Sequence, residues 1–190
     1  PVTIYFHNDL IIDTKNSGIG LIKKLEFLLK KNYIQYKNQN DYNWIVQTKL
    51  IKNKLNKKLK IKSQRILILP FFKEIFPVSK KEIIPNTFFY VANYTNNKNH
   101  KKLIQAFQDA ALKTNQKITL KLTLTDRDFK ILKIKTKYSI SNFELINLGI
   151  LKKKFLIEAY QETNFFIYPS LKESFGLPLI EATNFPGYVL

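Results

Sequence analysis

The residues FFIYPSLKESFGLPLIEA (165–182) take the chain from a strand through a tight loop into a helix. The apolar run ends at Tyr168 and Pro169, and a helix is predicted to begin near Pro178, because a proline in the first turn leaves no donor unsatisfied. Gly176 allows close approach of the backbone, and the amides after it are free donors at the positive end of a helix. Ligands of parallel α/β sheets bind outside the carboxyl ends of strands, so we predict a binding loop here, suited to a phosphate or a sugar hydroxyl.

The rest of the sequence repeats this alternation of strand and helix, which is typical of βα units in parallel sheets. Strands are predicted at residues 2–6, 44–46, 66–69, 88–92, 118–124, 143–148 and 165–168, and helices at 21–34, 49–59, 99–112, 152–161 and from 178 onwards. Periodicity fades between residues 71 and 86, where Pro77 and Pro85 interrupt the pattern. We therefore expect two α/β halves with a boundary in that stretch.

The composition narrows the class of protein. The 190 residues are 45% hydrophobic and 14% aromatic, which excludes an intrinsically disordered chain. The absence of cysteine excludes a disulfide framework and a thiolate metal site. No apolar run approaches the roughly 20 residues that a membrane-spanning helix needs. Because Pro1 is not an initiator and leads straight into a strand, we expect the sequence to begin inside a longer protein.

Lysine dominates the charge. The 32 basic and 14 acidic residues give a net charge of +18, which attracts nucleic acid, anionic lipid or phosphorylated substrates. Only Arg65 and Arg127 are arginines, whereas readout of bases and phosphates favours the bidentate guanidinium group, so we interpret the charge as mostly compositional. The alternative is a basic, non-enzymatic module that binds nucleic acid or an anionic membrane face, and its best support is the lysine-rich helix at residues 49–60.

Two glutamates, Glu173 and Glu181, flank the predicted binding loop. Taken alone, Glu173 would be a charge near the first turn that interacts favourably with the helix dipole, and Glu181 would be a solvated helix residue. The whole string is more specific. The pattern E-x7-E with S-F-G-L-P between the glutamates, after an F-F-I-Y-P-S strand end, resembles the signature of retaining GT-B glycosyltransferases, specifically glycosyltransferase family 4 (group 1).

The resemblance extends over most of the chain. FFYVANYTNNKNHKKLIQAF (88–107) is similar to the first strand, phosphate loop and helix of the family's donor domain, and PVTIYFHNDL (1–10) to an acceptor-domain strand followed by a histidine. The resemblance implies an α/β fold of GT-B type, with parts of two Rossmann-like parallel-sheet domains facing a cleft. Residues 1–72 would be the C-terminal part of the acceptor-side domain, 73–86 the interdomain linker, and 87–190 a truncated donor domain, so that both ends are incomplete.

The resemblance also implies roles for individual residues. Glu181 would accept hydrogen bonds from the nucleotide ribose, and Lys98 would neutralise the diphosphate. The backbone of Phe175, Gly176 and Leu177 would contact the donor sugar and the diphosphate. Glu173 would lie near the hydroxyls and reacting face of that sugar, and His7 would face the cleft, which makes these two the candidate catalytic residues. The alternative for Lys98 is a surface lysine near the start of a helix. The alternative for His7 is a loop histidine whose hydrogen bonds are made within the protein.

The activity implied is transfer of a sugar from a nucleoside-diphosphate sugar to a glycan or lipid-linked acceptor with retention of configuration, in cell-surface polysaccharide or lipopolysaccharide biosynthesis. The enzyme would be a hexosyl-type transferase that needs no metal and no cofactor. It would be cytoplasmic, with peripheral contact on the anionic inner face of the membrane and no nucleic-acid partner. Activity of this stretch by itself is in doubt, because core elements of both halves are missing.

Four further residues bear on this expectation. Many family members carry an arginine just past the first donor-domain strand, where this sequence has Asn93, so the resemblance implies Lys98 and no second cation at the diphosphate. We interpret Asp126 and Asp128 as a polar turn and not as a metal site. His100, beside two lysines, is interpreted as a surface residue.

Overall fold

The computed structural model describes residues 2–15, 17–38, 42–70, 82–135, 140–173 and 175–190. The chain forms two compact units. Unit 1 comprises Pro1–Phe72 with Leu171–Gly176, and unit 2 comprises Lys73–Ser170 with Leu177–Leu190. The short segment Leu171–Gly176 therefore groups with unit 1, although it follows a strand of unit 2 along the chain. Residues 73–81, which are most of the predicted linker, lie outside the described residues.

Unit 1 is built on a parallel three-stranded sheet of order β1–β2–β3. Its strands are β1 (Thr3–Tyr5), β2 (Asn43–Val46) and β3 (Ile66–Ile68), and its helices are α1 (Asp9–Ile12), α2 (Leu21–Lys37) and α3 (Lys49–Leu59). The register places Ile4 beside Trp44 and Ile45 beside Leu67.

The helix α3 supplies much of the core of unit 1. Its apolar residues Ile51, Leu55 and Leu59 recur every four positions and are buried against the sheet together with Trp44. The helix begins where the hydroxyl of Thr48 accepts a hydrogen bond from the amide of Ile51 at 3.2 Å, as an N-cap does. The prediction of a helix over residues 49–59 is confirmed.

Unit 2 is a parallel five-stranded sheet of order β6–β5–β4–β7–β8. Its strands are β4 (Ile84–Tyr90), β5 (Ile118–Leu122), β6 (Phe143–Asn147), β7 (Thr163–Phe166) and β8 (Tyr188–Val189). Its helices are α4 (His100–Ala111), α5 (Asp126–Lys135), α6 (Lys153–Gln161) and α7 (Leu177–Ala182). All four strand pairings are parallel, so the predicted α/β fold with parallel sheets in both units is confirmed.

The sheet of unit 2 carries a core on each face. Phe89 and Tyr90 are neighbours in the central strand β4, and they belong to different clusters because alternate side chains of a strand point to opposite faces. One cluster joins Tyr90 to α4 through Leu103 and Ile104, and the other joins Phe89 to Tyr160 of α6. Both faces of the sheet are therefore covered, as is usual for parallel sheets.

Several elements differ from the sequence-based prediction. The strand predicted at 88–92 begins earlier, at Ile84, inside the expected linker, and ends at Tyr90. The helices α1 and α5 and the strand β8 were not predicted, since α1 and β8 are too short to show a period. Among the helices of the described residues, none has both the length and the apolar character that crossing a membrane requires.

Candidate functional site

A depression of about 300 Å³ lies in unit 2 at the carboxyl ends of its central strands. Its wall includes residues that follow β4 and β5, two apolar residues that follow β6, and two residues singled out from the sequence: Val91, Ala92, Asn93, Thr123, Ile150, Leu151, Lys98 and Pro178. Parallel sheets bind ligands at this edge. The structure thus brings Lys98 and the proline of the binding loop to one concave surface within unit 2.

Lys98 lies in a loop that is hydrogen-bonded to Tyr90 of the central strand and to the residues after β7. The hydroxyl of Tyr90 donates to the Lys98 carbonyl oxygen at 2.9 Å and is also 2.9 Å from the hydroxyl of Ser170. The side-chain amide of Asn99 donates to the Pro169 carbonyl at 3.4 Å. Asn99 itself has a φ of 60°, which turns the chain sharply into α4. These contacts place the Lys98 loop against the end of β7, next to the start of the predicted binding loop.

His100 is not a surface residue, so the sequence-based interpretation is wrong. It is only 2% exposed and lies between two tyrosine rings, with centroid distances of 4.9 Å to Tyr90 and 5.7 Å to Tyr94. Burial, assisted by the charge of Lys98, lowers the pKa of His100 to about 4, so the ring is neutral at pH 7. The signal was present in the sequence, because His100 shares the helical spacing of the buried residues Leu103, Ile104 and Ala111.

Glu181 lies in α7 and is half-buried. The hydroxyl of Tyr160 lies 3.4 Å from Glu181 Oε2 and 3.4 Å from the Pro178 carbonyl oxygen, and donates toward both. Burial and the nearby Glu181 charge raise the pKa of Tyr160 far above its usual value, so this hydroxyl remains a donor. Tyr160 and Tyr90 are residues that sequence reasoning missed. Both appeared there only as apolar positions of a helix and a strand, and only the tertiary contacts give their hydroxyls a partner.

The segment before α7 belongs to unit 1. Lys172 lies 3.6 Å from Asp13 Oδ1 and donates to the carbonyl oxygen of Lys15 at 3.4 Å. Asp13 also accepts a 2.6 Å hydrogen bond from Lys58, and this bond is the main reason that the pKa of Asp13 falls well below its usual range. Glu173 is half-buried beside Lys172, in this unit, whereas Glu181 belongs to unit 2.

The chain bends tightly between the two glutamates, at Gly176. Gly176 is buried and has a φ of 78°, a left-handed conformation that a side chain would strain. Phe175 is half-buried, and Leu177 begins α7. Ser174 lies outside the described residues.

His7 follows β1 of unit 1 and is exposed. Its ring stacks on Tyr5 at 5.8 Å between centroids, and it lines a largely apolar depression of about 500 Å³ with Tyr33 and Trp44. The adjacent Asn8 begins α1 by accepting a 3.1 Å hydrogen bond from the amide of Leu10. The structure thus places His7 beside an apolar surface of unit 1.

Asp126 and Asp128 lie in the first turn of α5 and not in a polar turn. The hydroxyl of Thr125 donates to Asp128 Oδ2 at 2.8 Å and accepts from the Asp128 amide at 3.1 Å, so Thr125 caps the start of α5. In the described part of the chain, no group of three or more histidine or carboxylate side chains is placed to hold a metal ion.

Both the sequence and the structure of this chain are similar to those of known proteins. A 53-residue stretch, 28% of the chain, is 42% identical to the serotype-specific mannosyltransferase WbdA of Escherichia coli and spans 6% of it. The structure matches the crystal structure of TarM with a TM-score of 0.71 and 19% identity, over 98% of this chain and 35% of TarM. It matches the pneumococcal O-GlcNAc transferase GtfA, solved with UDP and GlcNAc, with a TM-score of 0.60 and 18% identity, over 84% of this chain and 32% of GtfA.

The chain therefore spans about a third of each of these two structures and a far smaller share of WbdA. At such identities the structural likeness establishes the GT-B fold and no more. The sequence model of the family described as glycosyl transferases group 1 matches residues 71–190, which is more than half of the chain. The predicted binding loop and the depression beside Lys98 both lie within residues 71–190. The chain belongs to the glycosyl transferases group 1 family.

Proposed function

We propose that this chain is part of a retaining, hexosyl-type glycosyltransferase of glycosyltransferase family 4. It would move a sugar from a nucleoside-diphosphate sugar to a glycan or lipid-linked acceptor in the synthesis of a cell-surface polysaccharide. Membership of the group 1 family supports glycosyl transfer, and the similarity to a serotype-specific mannosyltransferase supports the polysaccharide context. Retention of configuration rests on the resemblance of the E-x7-E string.

The observation that carries the proposal is the depression beside Lys98. Its volume of about 300 Å³ is within the range of small-molecule sites, and its wall combines one cationic side chain with apolar residues such as Ile150 and Leu151. A nucleoside diphosphate needs both kinds of surface, since the flat faces of its base pack on apolar side chains whereas its phosphates are charged. Lys98 is therefore assigned to the diphosphate, and the apolar wall to the base.

Lys98 would act on the leaving group. In the proposed reaction the acceptor hydroxyl oxygen bonds to the anomeric carbon, while the bond from that carbon to the diphosphate oxygen breaks and its electron pair leaves with the nucleoside diphosphate. The acceptor proton passes to the departing phosphate on the same face of the sugar. A preorganised positive charge stabilises the negative charge that develops there, and no metal or cofactor enters this scheme.

The remaining site residues keep the roles that the family resemblance implies. Glu181 is proposed to accept from the nucleotide ribose, and its contact with the Tyr160 hydroxyl supports this by orienting the carboxylate. The backbone of Phe175, Gly176 and Leu177 is proposed to contact the sugar and the diphosphate. Glu173 and His7 are proposed to position the donor sugar, on the resemblance alone.

The location and partners are proposed in the same way. A lipid-linked acceptor would bring the enzyme to the inner, anionic face of a membrane, where a chain with a net charge of +18 is attracted. A nucleic-acid partner is not proposed, because only Arg65 and Arg127 could supply guanidinium groups.

Calorimetric titration with UDP, GDP and their sugar conjugates tests the proposal directly. We expect one of these nucleotides to bind, and Lys98→Ala to weaken that binding while Lys101→Ala, an exposed lysine of α4, does not. A folded chain that binds no nucleotide but binds short DNA with a steep dependence on salt would instead identify the basic module. A screen for hydrolysis of nucleotide sugars then tests the reaction itself.

A further inference from the structure

The strand β6 ends in a polar residue on a face of the sheet that is otherwise apolar. Phe143 and Leu145 of this strand pack against the core cluster that contains Tyr90. Asn147 continues their alternation and is half-buried, so a carboxamide lies where a further apolar side chain would be usual. A polar group in such a position costs free energy unless it forms hydrogen bonds.

The side chain of Asn147 forms two hydrogen bonds with a single residue, Leu124. Asn147 Oδ1 accepts from the Leu124 amide at 2.9 Å, and Asn147 Nδ2 donates to the Leu124 carbonyl oxygen at 3.0 Å. The carboxamide therefore bonds as a peptide group would, with one donor and one acceptor. Since the strand register pairs Asn147 with Leu122, the side chain extends the β5–β6 pairing by two residues beyond Leu122. We call these two bonds the Asn147–Leu124 pair.

This pair joins two segments of the wall of the depression beside Lys98. Thr123 lines the depression and directly precedes Leu124, whereas Ile150 lines it three residues after Asn147. Leu124 is 1% exposed and belongs to the core. The loop after β6 is thus anchored on a buried residue of the loop after β5.

The loop after β6 is otherwise anchored from the opposite face of the sheet. Leu148 and Leu151 pack against the core cluster that contains Phe89. Between them, Ile150 is 66% exposed, and a Cβ atom on Gly149 would have no other atom within 4 Å. Little packing therefore holds the apolar wall at this point, and its position depends on the anchors on the two faces.

We propose that Asn147 is a positioning residue for the nucleotide base of the donor. Asn147 does not itself line the depression, so it acts through Thr123 and Ile150, which it holds at a fixed separation. A wall that is formed in advance does not have to be ordered when the base binds. The inference rests on the proposed function and deepens it, because it separates the shaping of the base site by Asn147 from the binding of the phosphates by Lys98.

A second asparagine shows what a purely structural role looks like. Asn142 directly precedes β6, and its side-chain amide donates to the carbonyl oxygens of Ala111 at 2.9 Å, Thr114 at 2.6 Å and Gln116 at 3.3 Å. It lies at the amino end of the strand, whereas parallel sheets bind ligands at the carboxyl ends. Asn142 and Asn147 thus form similar bonds at opposite ends of β6, which makes Asn142 a matched control.

Calorimetric titration of the full chain with UDP, GDP and inorganic diphosphate tests the proposal. We expect Asn147→Leu to bind the preferred nucleotide about ten-fold more weakly, because that nucleotide must then order the wall. Binding of diphosphate, which has no base, should be unchanged. Asn142→Leu should keep the wild-type affinity for both ligands, although both variants should melt at a lower temperature, since each loses hydrogen bonds. Lys98→Ala should weaken the binding of nucleotide and diphosphate alike.

Hydrogen exchange tests the Asn147–Leu124 pair without any ligand. We expect faster exchange at the Leu124 amide and at residues 149–151 in Asn147→Leu, and no change there in Asn142→Leu. The variant Asn147→Ser is the substitute if Asn147→Leu does not fold, because its side chain is polar but too short to reach both atoms of Leu124.

Three results would overturn the positioning role. They are equal losses of nucleotide and diphosphate affinity in Asn147→Leu, equal losses of nucleotide affinity in the two asparagine variants, and unchanged nucleotide affinity despite faster exchange at Leu124. The outcomes also separate this inference from the proposed function. Nucleotide binding that Asn147→Leu leaves intact removes only the role of Asn147, whereas a wild-type chain that binds neither UDP nor GDP removes the donor site and this role with it.

Discussion

The hydroxyl of Tyr90 donates a 2.9 Å hydrogen bond to the carbonyl oxygen of Lys98, eight residues further along the chain. Tyr90 is fully buried in the central strand of unit 2, so a rigid side chain holds the backbone of the residue assigned to the diphosphate. A fixed cation loses less entropy on binding than a mobile one.

Removing the Tyr90 hydroxyl should loosen the Lys98 loop. We expect Tyr90→Phe to lower the free energy of unfolding by about 1 kcal/mol, the usual contribution of a buried hydrogen bond, and to weaken UDP binding several-fold. Chemical denaturation and calorimetric titration measure the two effects. The exposed Tyr188→Phe serves as the control, and equal UDP affinity in Tyr90→Phe and wild type would show that the loop keeps its position without this bond.

Lys98→Ala should affect binding more than folding. A hydrogen bond to a charged group contributes about 1.5–3 kcal/mol, so we expect the affinity for UDP to fall by about ten-fold or more. The melting temperature should stay near that of Lys101→Ala. A variant that melts earlier yet binds UDP normally would make Lys98 a structural residue.

Glu181 should recognise the ribose and not the base. We expect Glu181→Ala to weaken UDP binding but to leave binding of 2′,3′-dideoxy-UDP unchanged, because that analogue lacks the hydroxyls that would donate to the carboxylate. Tyr160→Phe should give a smaller effect in the same direction, since Tyr160 only orients Glu181. Asp109→Ala, an exposed carboxylate of α4, is the control. Equal losses for both nucleotides in Glu181→Ala would contradict a ribose contact.

Gly187 permits the close approach of the chain to β7. A Cβ atom at this position would lie 2.6 Å from the Thr163 carbonyl oxygen, 2.8 Å from Phe166 Cε2 and 2.9 Å from the Asn164 carbonyl oxygen. Two of these three atoms are backbone and cannot yield easily. We expect Gly187→Ala to destabilise unit 2 by about 1–3 kcal/mol in a denaturation experiment. Gly20→Ala has open space around the new methyl group and should be nearly neutral.

The buried His100 should make stability depend on pH. Its pKa is about 4 in the folded chain and 6.5 ordinarily, so between these values the unfolded chain binds more protons. Stability is therefore complete above pH 6.5 and falls as the pH drops towards 4, by up to about 3 kcal/mol. Denaturation of the wild type and of His100→Phe at several pH values measures the difference. The variant should show a shallower loss between pH 6.5 and 5, and an identical slope would exclude His100 as the source.

Much of the architecture could be predicted from local patterns. The helix at residues 49–59 and the strands near 118 and 143 follow from spacing of apolar residues, because each period is a property of consecutive side chains. The short elements α1 and β8 could not be predicted in this way, since two to four residues contain no period. The helix α5 was missed for another reason. Its sequence, DRDFKILKIK, is mostly charged, and only the cap at Thr125 marks its start.

In the candidate site, too, local features could be predicted from the sequence, whereas contacts between distant residues could not. The string between Glu173 and Glu181 indicates a bend, and Gly176 in that bend adopts a left-handed conformation, which glycine reaches without strain. The roles of Glu173, Glu181, Lys98 and His7 remain predictions, and the experiments above address those of Glu181 and Lys98. Contacts of the tyrosine hydroxyls, by contrast, join residues far apart in the chain, as Tyr160 joins Glu181 and Tyr90 joins Ser170.

By itself, the sequence determined the α/β class, the position of the bend and the membership in the group 1 family. Each of these depends on residues that are close together or matched in order along the chain. Only the tertiary structure decided that His100 is buried and that Asn147 bonds to Leu124. The first outcome depends on which side of a helix meets the core, and the second joins residues 23 positions apart, which no local pattern relates.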